Sequence, residues 1–316
     1  MTLNLLRFSP TLQTTPYFNA SYLRAVYGEY ENIHGIFEGD NIQQIVRILE
    51  TPFGGLCQSS HIWQWPSLAL QPKSFAEELL AMYYSYNLIA GYNRLLSSIA
   101  GIQSYPKIQI SQDLRKWHLI IDVSKWICRS HSLKSSLHSF KRSGGAIRHA
   151  QPSDASTIAN IYTELAESKS FSREYYSGTS LFYALIMDPN FLSYVALDSD
   201  DTIQGFAIFS QHRTHLDYSL AASTHKLNGS SAALIHALIC DMQNNGDERC
   251  IFLGGGIAEN DGLDKFKANF SDEALYLYHL KVKADPLRYS EYLEKASFIN
   301  NMPRQFPVIA DNLAYI

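Results

Sequence analysis

Short runs in the second half of this chain hold residue types that can do chemistry. His215-Leu216-Asp217-Tyr218 opens an alternating segment. Strand alternation puts His215, Asp217 and Ser219 on one face and Leu216, Tyr218 and Leu220 on the other. Lys226-Leu227-Asn228-Gly229-Ser230-Ser231 leads into an Ala-, Leu- and Ile-rich helical pattern. A glycine turn at a helix start offers backbone N–H groups to an anion such as a pyrophosphate, and the Ser230 and Ser231 hydroxyls would add donors. An N-capped helix with no ligand has the same pattern. Gly254-Gly255-Gly256 follows a short apolar strand, and without side chains another backbone or a substrate can approach closely. From Gly262 a helical pattern sets Leu263, Phe266 and Phe270 on one apolar stripe, flanked by Lys267, with Lys265 towards solvent. A lysine in that position either snorkels outward or aims its ammonium at an anion in a cleft. Asp261 suits a helix cap better than a base.

These runs need elements to position them. Ala146–Ala150 reads as a short strand, Gln151-Pro152-Ser153-Asp154 as a turn with an N-cap, and Ala155–Ala166 as a helix with Ile158, Ile161, Tyr162 and Leu165 on one face. A helix over Glu174–Met187 follows, then strands at Leu192–Leu197, Ile203–Ser210 and His215–Ser223. Next come a helix at Ser230–Asn244, a strand at Cys250–Leu253, a helix at Gly262–Phe270 and a strand at Ala274–Val282. In the first half, Phe18–Tyr27 and Ser74–Tyr84 are helix-like, the latter with a Ser74/Glu77 capping box. His34–Phe37 and Ile42–Leu49 flank a hairpin turn at Glu38–Asn41, and Thr51–Gly55 breaks the pattern. Leu88–Leu96, Lys107–Ile110 and Trp117–Val123 are candidate strands, and Leu133–Arg142 a helix ended by Gly144-Gly145. The expected class is α/β, with domains at 1–143 and 144–316.

Bulk composition narrows the function. The 316 residues are 46% hydrophobic and 18% charged with a net charge of −4, which suits a globular chain with a sizeable core and gives no chain-wide basic field for nucleic acid. The start lacks signal-peptide character, and no apolar run approaches the roughly 20 residues of a membrane span, so a cytoplasmic protein without integral membrane contact is expected. Cys57, Cys128, Cys240 and Cys250 are scattered, which fits reduced thiols and no metal. Between Val123 and Ser153 no acidic residue occurs, while Lys125, Arg129, Lys134, Lys141, Arg142 and Arg148 do. That segment either meets phosphates or is a solvated face. His61, Trp63, Trp65 and the Tyr83, Tyr84 and Tyr86 group either line an acceptor pocket or pack in the core.

The run IRHAQPSDASTIANIY, followed by YVALDSDDTIQGFAIFS, resembles GNAT (Gcn5-related N-acetyltransferase) acyltransferases. The segment IFLGGGIAENDGLDKFKANFS looks like the Fem-type branch, in which two GNAT-like domains, each a mixed, mostly antiparallel sheet flanked by helices, share one chain. Its best-known members add amino acids to the peptidoglycan precursor. YFNASYLRAVYGEY and TPFGGL look like the degenerate first domain. The resemblance implies an N-acyltransferase moving an acyl group from acetyl-CoA or another acyl-CoA, held at Lys226, Gly229, Ser230 and Ser231, to an amine on a small molecule or a cell-envelope sugar or peptide precursor. Ordinary GNAT donor loops begin with Gln or Arg and end in Gly or Ala; Lys226 and Ser231 depart from that. Within the branch a Phe-Lys pair contacts substrate, which assigns Phe266 to substrate and Lys267 to stabilising charge. Gly254, Gly255, Gly256 and Tyr218 join the substrate site, with Asp217, then His215, as candidate general bases. The alternatives are an aminoacyltransferase using charged tRNA, and a catalytically silent scaffold that binds a ligand or partner.

Overall fold

The structure, a computed structural model, describes residues 3–9, 16–17, 20–27, 32–38, 41–59, 67–68, 72–97, 105–170 and 178–296. Its first half holds β1 (Leu3–Arg7), α1 (Ala20–Tyr27), β2 (Ile33–Glu38), β3 (Asn41–Leu49), β4 (Gly55–Ser59), β5 (Ser67–Leu68), α2 (Pro72–Ser85), β6 (Leu88–Ser97) and β7 (Ile108–Ile120). Then follow α3 (His131–Arg142), β8 (Ala146–His149), α4 (Ala155–Ser168), α5 (Thr179–Met187), β9 (Phe191–Leu197), β10 (Ile203–Gln211) and β11 (His215–Ser223). The chain continues through α6 (Ser230–Asn245), β12 (Cys250–Gly254), α7 (Gly262–Ala268), β13 (Glu273–Val282) and α8 (Pro286–Ala296). No described helix is long and apolar enough to cross a membrane.

The chain folds as two compact units that interleave in sequence. One takes Met1–Thr14, Tyr30–Arg115 and Leu275–Ile316, the other Thr15–Glu29 and Lys116–Ala274. The units therefore divide at 14/15, 29/30, 115/116 and 274/275, whereas the sequence reading divides the chain at 143/144.

In the first unit the strand order is β1-β2-β3-β4-β6-β13, antiparallel except for the parallel pair β4/β6, with β5 beside β6. Phe75, Ala76, Leu79, Met82 and Tyr83 of α2 fall on one helical face and pack on Leu5, Val46, Ile48, Tyr278 and Leu280. The helix begins at Pro72 rather than Ser74, since proline loses nothing in a first turn whose N–H groups have no intrahelical partner. The two expected strands at Lys107–Ile110 and Trp117–Val123 are one long β7. Its polar middle stays extended because Asp113 is paired, to Arg115 and to His279 Nε2 at 2.9 Å.

In the second unit the order β12-β11-β10-β9-β8 is antiparallel except for β11/β12, with Leu119 and Ile120 of β7 paired to β12. Leu234, Ile235, Leu238, Ile239 and Met242 of α6, with Leu133 and Phe140 of α3, pack on Ala207, Phe209, Leu216, Ile251 and Leu253. Against the other face lie α4 and α5, where Tyr162 of α4 and Phe182 of α5 meet Phe206 edge-on. Strand β11 carries a bulge: Ile208 faces Leu220 but Phe209 faces Tyr218, so Ser219 has no partner residue on β10. The bulge changes the expected alternation. Leu216 and Tyr218 face α6, whereas Leu220 turns to the opposite side with Ile208. Asp154 accepts from the Gln151 N–H at 2.7 Å and from both Arg148 terminal nitrogens at 2.6 and 3.0 Å, tying the start of α4 to β8.

Candidate functional site

The parallel strands β11 and β12 pair only at His215/Cys250, Leu216/Ile251 and Asp217/Phe252. Beyond that point they diverge: β11 continues against β10 to Ser223, while Gly254 of β12 sits opposite His118 of β7. The chain then turns through Gly255 and Gly256 into α7. The Asp261 carboxylate accepts from the Ile257, Ala258 and Asp264 N–H groups at 2.8, 2.9 and 2.7 Å. Asp261 is thus a cap, and those donors hold its carboxyl below the ordinary value.

The buried side of α7 is not the expected stripe. Phe270 and Lys267 are buried and Phe266 is half-buried, whereas Leu263 is 39% exposed. Phe266 meets Phe270 edge-on at 5.5 Å, and Trp126 stacks on Phe270 while donating its indole N–H to the Phe270 carbonyl at 2.7 Å. These aromatics fix the roll of the short helix, and that roll carries Lys267 inward. Only 8% of Lys267 is exposed. Its Nζ donates to the Gly255 carbonyl at 2.7 Å and stands 5.8 Å from the centroid of the Tyr218 ring. The ammonium therefore touches both sides of the strand divergence, β11 through Tyr218 and the end of β12 through Gly255.

Its electrostatics are unusual for a lysine. Burial pushes the Lys267 ammonium down to about 8 from an ordinary 10.5, although Asp261 and Asp264 pull the other way. Neither carboxylate pairs with it: Asp261 is occupied by the backbone, and Asp264 faces His118 Nε2 at 2.8 Å. Among the described residues Lys267 forms no ion pair. A buried cation held only by a carbonyl and a ring face is costly, and such groups concentrate at functional sites. Burial also raises the Tyr218 hydroxyl.

Other residues singled out by the sequence are placed as follows. Gly255 is packed tightly; a Cβ there would lie 2.8 Å from the Lys116 carbonyl oxygen and 3.0 Å from Trp117. The glycine run therefore admits another backbone, as its composition allowed, and supplies the carbonyl that holds Lys267. Gly229, at φ 82°, abuts the Ser136 carbonyl of α3 so closely that any side chain would collide with it. Ser230 is buried, the Ser231 hydroxyl bonds Ser223 Oγ at 2.9 Å, and Lys226 is exposed. The start of α6 is thus covered by α3.

Asp217 and His215 occupy the face of β11 opposite Tyr218, so the structure does not bring them to Lys267. There His212 Nε2 lies 2.8 Å from Asp217 Oδ2 and His215 Nε2 lies 3.2 Å from Oδ1. Tyr17 and Ser219 share a 2.6 Å hydrogen bond beside them. Burial alone would raise the Asp217 carboxyl, but the two imidazoles outweigh it and hold it below the ordinary value.

Sequence reasoning missed His212 and the His118–Asp264 pair. The spacing His212-x-x-His215 across a tight turn, closed by the His212 N–H to His215 carbonyl bond at 2.8 Å, was the available signal for the first. Nothing local signals the second, since its members are far apart in sequence. Arg129, Lys134, Lys141 and Arg142 of the basic segment are exposed, while Lys125 pairs with Asp122 and Arg148 with Asp154. Tyr83 is a core residue, and Tyr84 and Tyr86 are exposed. His61, Trp63 and Trp65 lie outside the described residues, as do parts of the expected hairpin turn and of the helices starting at Phe18 and Glu174.

This architecture is the Fem-type, GNAT-like fold. FemX matches it with a TM-score of 0.56 at 8% identity, over 90% of this chain and 98% of that one. The structure of L-PGS from Bacillus licheniformis matches with a TM-score of 0.52 at 13% identity, over 84% and 88%. A conserved protein of unknown function from Bacteroides thetaiotaomicron matches with a TM-score of 0.54 at 11% identity, over 88% and 92%. No family profile and no curated protein matches the sequence.

Proposed function

We propose that the chain is an N-acyltransferase whose second unit moves an acyl group from an activated donor to an amine. The observation that carries this reading is the desolvated, unpaired Lys267 ammonium at the divergence of β11 and β12. Acyl transfer requires a positioned donor carbonyl, a neutral amine and stabilisation of the oxyanion that forms. A cation that is already desolvated meets the last requirement without reorganising when charge develops. The amine nitrogen attacks the carbonyl carbon, the C–N bond forms, and the C–S or C–O bond to the leaving group breaks. The amine proton leaves with the thiol or alcohol. Asp217 and His215 sit on the other face of β11, so the pair His118–Asp264, one helical turn from Lys267, is the better placed proton acceptor on this side.

The donor on this reading is of the acyl-CoA kind, and the acceptor an amine on a small molecule or a cell-envelope sugar or peptide precursor. One observation favours a second donor. The Ser136 carbonyl sits against Gly229 where a pyrophosphate would need N–H donors, which suits an aminoacyl ester of tRNA better than coenzyme A. Thermal shift separates the readings. Stabilisation by acetyl-CoA and not by aminoacyl-tRNA supports the first donor, and the reverse supports the second. Response to neither, with no transfer of labelled acyl groups by the wild type or by Lys267→Met, would leave only a silent scaffold.

A further inference from the structure

On the far face of β11 from Lys267, His212, His215 and Asp217 bring two imidazole nitrogens and a carboxylate within 4.8 Å of one another. The acyl transfer proposed at Lys267 makes no use of them. The arrangement is not a nucleophilic triad. Ser210 Oγ approaches His212 Nε2 at 3.3 Å, the same nitrogen that faces Asp217 Oδ2, whereas a triad needs serine and acid on opposite ring nitrogens. Nor does it close as a plain ion pair. The two rings stack in parallel, with centroids 4.4 Å apart and an interplanar angle of 6°, so two imidazolium charges would repel at contact. His215 Nδ1 lies 3.0 Å from Thr214 Oγ1. With the ring proton on that nitrogen, the Nε2 lone pair points at Asp217 Oδ1, a fully buried acceptor with no hydrogen-bond partner among the described residues.

We propose that His212, His215 and Asp217 form a binding site for one divalent transition-metal ion, zinc by preference, through both Nε2 atoms and the carboxylate. A cation between them would take up the carboxylate and both Nε2 lone pairs at once, including Asp217 Oδ1, which is buried without a hydrogen-bond partner among the described residues. The ring nitrogens stand 2.8 and 3.2 Å from opposite oxygens of Asp217, near enough for one ion with bonds of about 2.0–2.1 Å to reach all three groups once the rings turn out of their parallel stack. Two imidazoles select zinc and its first-row neighbours over magnesium or calcium, which prefer oxygen alone. The Thr214 hydroxyl supplies the outer-shell partner that fixes an imidazole for ligation. Asp217 is fully buried, while the His212 and His215 side chains are 13% and 20% exposed. An ion thus has an approach, and a fourth position remains for water or a substrate atom.

The test titrates Zn2+ into chelator-stripped full-length protein against a competing fluorescent chelator. The expected result is one equivalent per chain, with affinity reduced roughly a hundredfold or more in His212→Ala and in His215→Ala, and unchanged in His149→Ala on the protein surface. Co2+ loading should give a visible absorption band that the same two variants lose. Asp217→Asn should also weaken binding; if that buried change prevents folding, the two partly exposed histidines still decide the matter. The proposal is overturned if the wild type binds no more Zn2+ than the His212→Ala/His215→Ala double variant, or if His149→Ala loses as much affinity as His212→Ala.

Discussion

Replacing Lys267 with methionine keeps the length of the side chain and removes its charge. An ordinary lysine value of 10.5 lowered to about 8 corresponds, at about 1.36 kcal/mol per pH unit, to roughly 3 kcal/mol against the charged form in the folded state. The substitution recovers that amount near pH 7 but leaves the Gly255 carbonyl without its donor, a cost of about 1–3 kcal/mol. Lys267→Met should therefore be as stable as the wild type or more stable by about 2 kcal/mol, an unusual outcome for a buried polar residue. The pH dependence is the sharper signature. Because the folded-state value is depressed, the penalty is fully present below about pH 8, and it fades as pH rises towards 10.5, where the unfolded chain also loses its proton. From pH 7 to pH 9 the wild type should gain about 1 kcal/mol on the variant. Urea unfolding at pH 7, 8 and 9, followed by the fluorescence of Trp117 and Trp126, measures the difference. Parallel stability curves for the two proteins would refute the desolvation argument. Alongside, acyl transfer should fall by about 10²–10³-fold, the usual loss for one oxyanion donor.

Gly255→Ala should lower stability by about 1–3 kcal/mol in chemical denaturation, because its methyl group would meet the Lys116 carbonyl and Trp117. Asp261→Ala removes a carboxylate that serves three N–H groups and should cost about 1 kcal/mol or more; a matching drop in turnover would show that α7 must be held for Lys267 to act. Asp154, held below the ordinary carboxylate value by Arg148, contributes stability above about pH 4 that is lost on acidification. The double change Arg148→Met/Asp154→Asn should flatten the acid limb of the stability–pH curve. Gly229→Ala should impair folding through its clash with Ser136, and variants that do fold should bind donor normally if α6 carries no pyrophosphate.

The second unit was legible where local pattern and environment agree. Strands β9, β10 and β11 and helices α4 and α6 fall within a few residues of their sequence expectation, because the helices bury a regular apolar face and the strands are apolar runs bounded by polar turns. Long-range pairing hid the rest. Strand β4 follows directly on a turn-like Thr51–Gly54 segment, and both Leu56 and Cys57 are buried, so it has no alternating pattern to read. The middle of β7 looks like a polar linker until His279 arrives from β13 to meet Asp113. The assignment of Lys267 came from the Phe-Lys resemblance, and its burial depended on aromatic contacts with Trp126 and Phe270 that set the roll of α7. Separation of Asp217 from Tyr218 was implicit in strand alternation. The bulge at Ser219, which turns Leu220 to the other face, was not, since the extra residue is defined only by pairing with β10.

A crystal structure with a non-reactive donor analogue bound tests the central claim most directly, using either the ketone analogue of acetyl-CoA or an amide-linked aminoacyl-adenosine. The acyl oxygen should lie about 3 Å from Lys267 Nζ, a hydrogen-bonding distance, between the Tyr218 ring and Gly255. An acyl oxygen bound elsewhere, with the Lys267 ammonium still on the Gly255 carbonyl and out of reach, would contradict it.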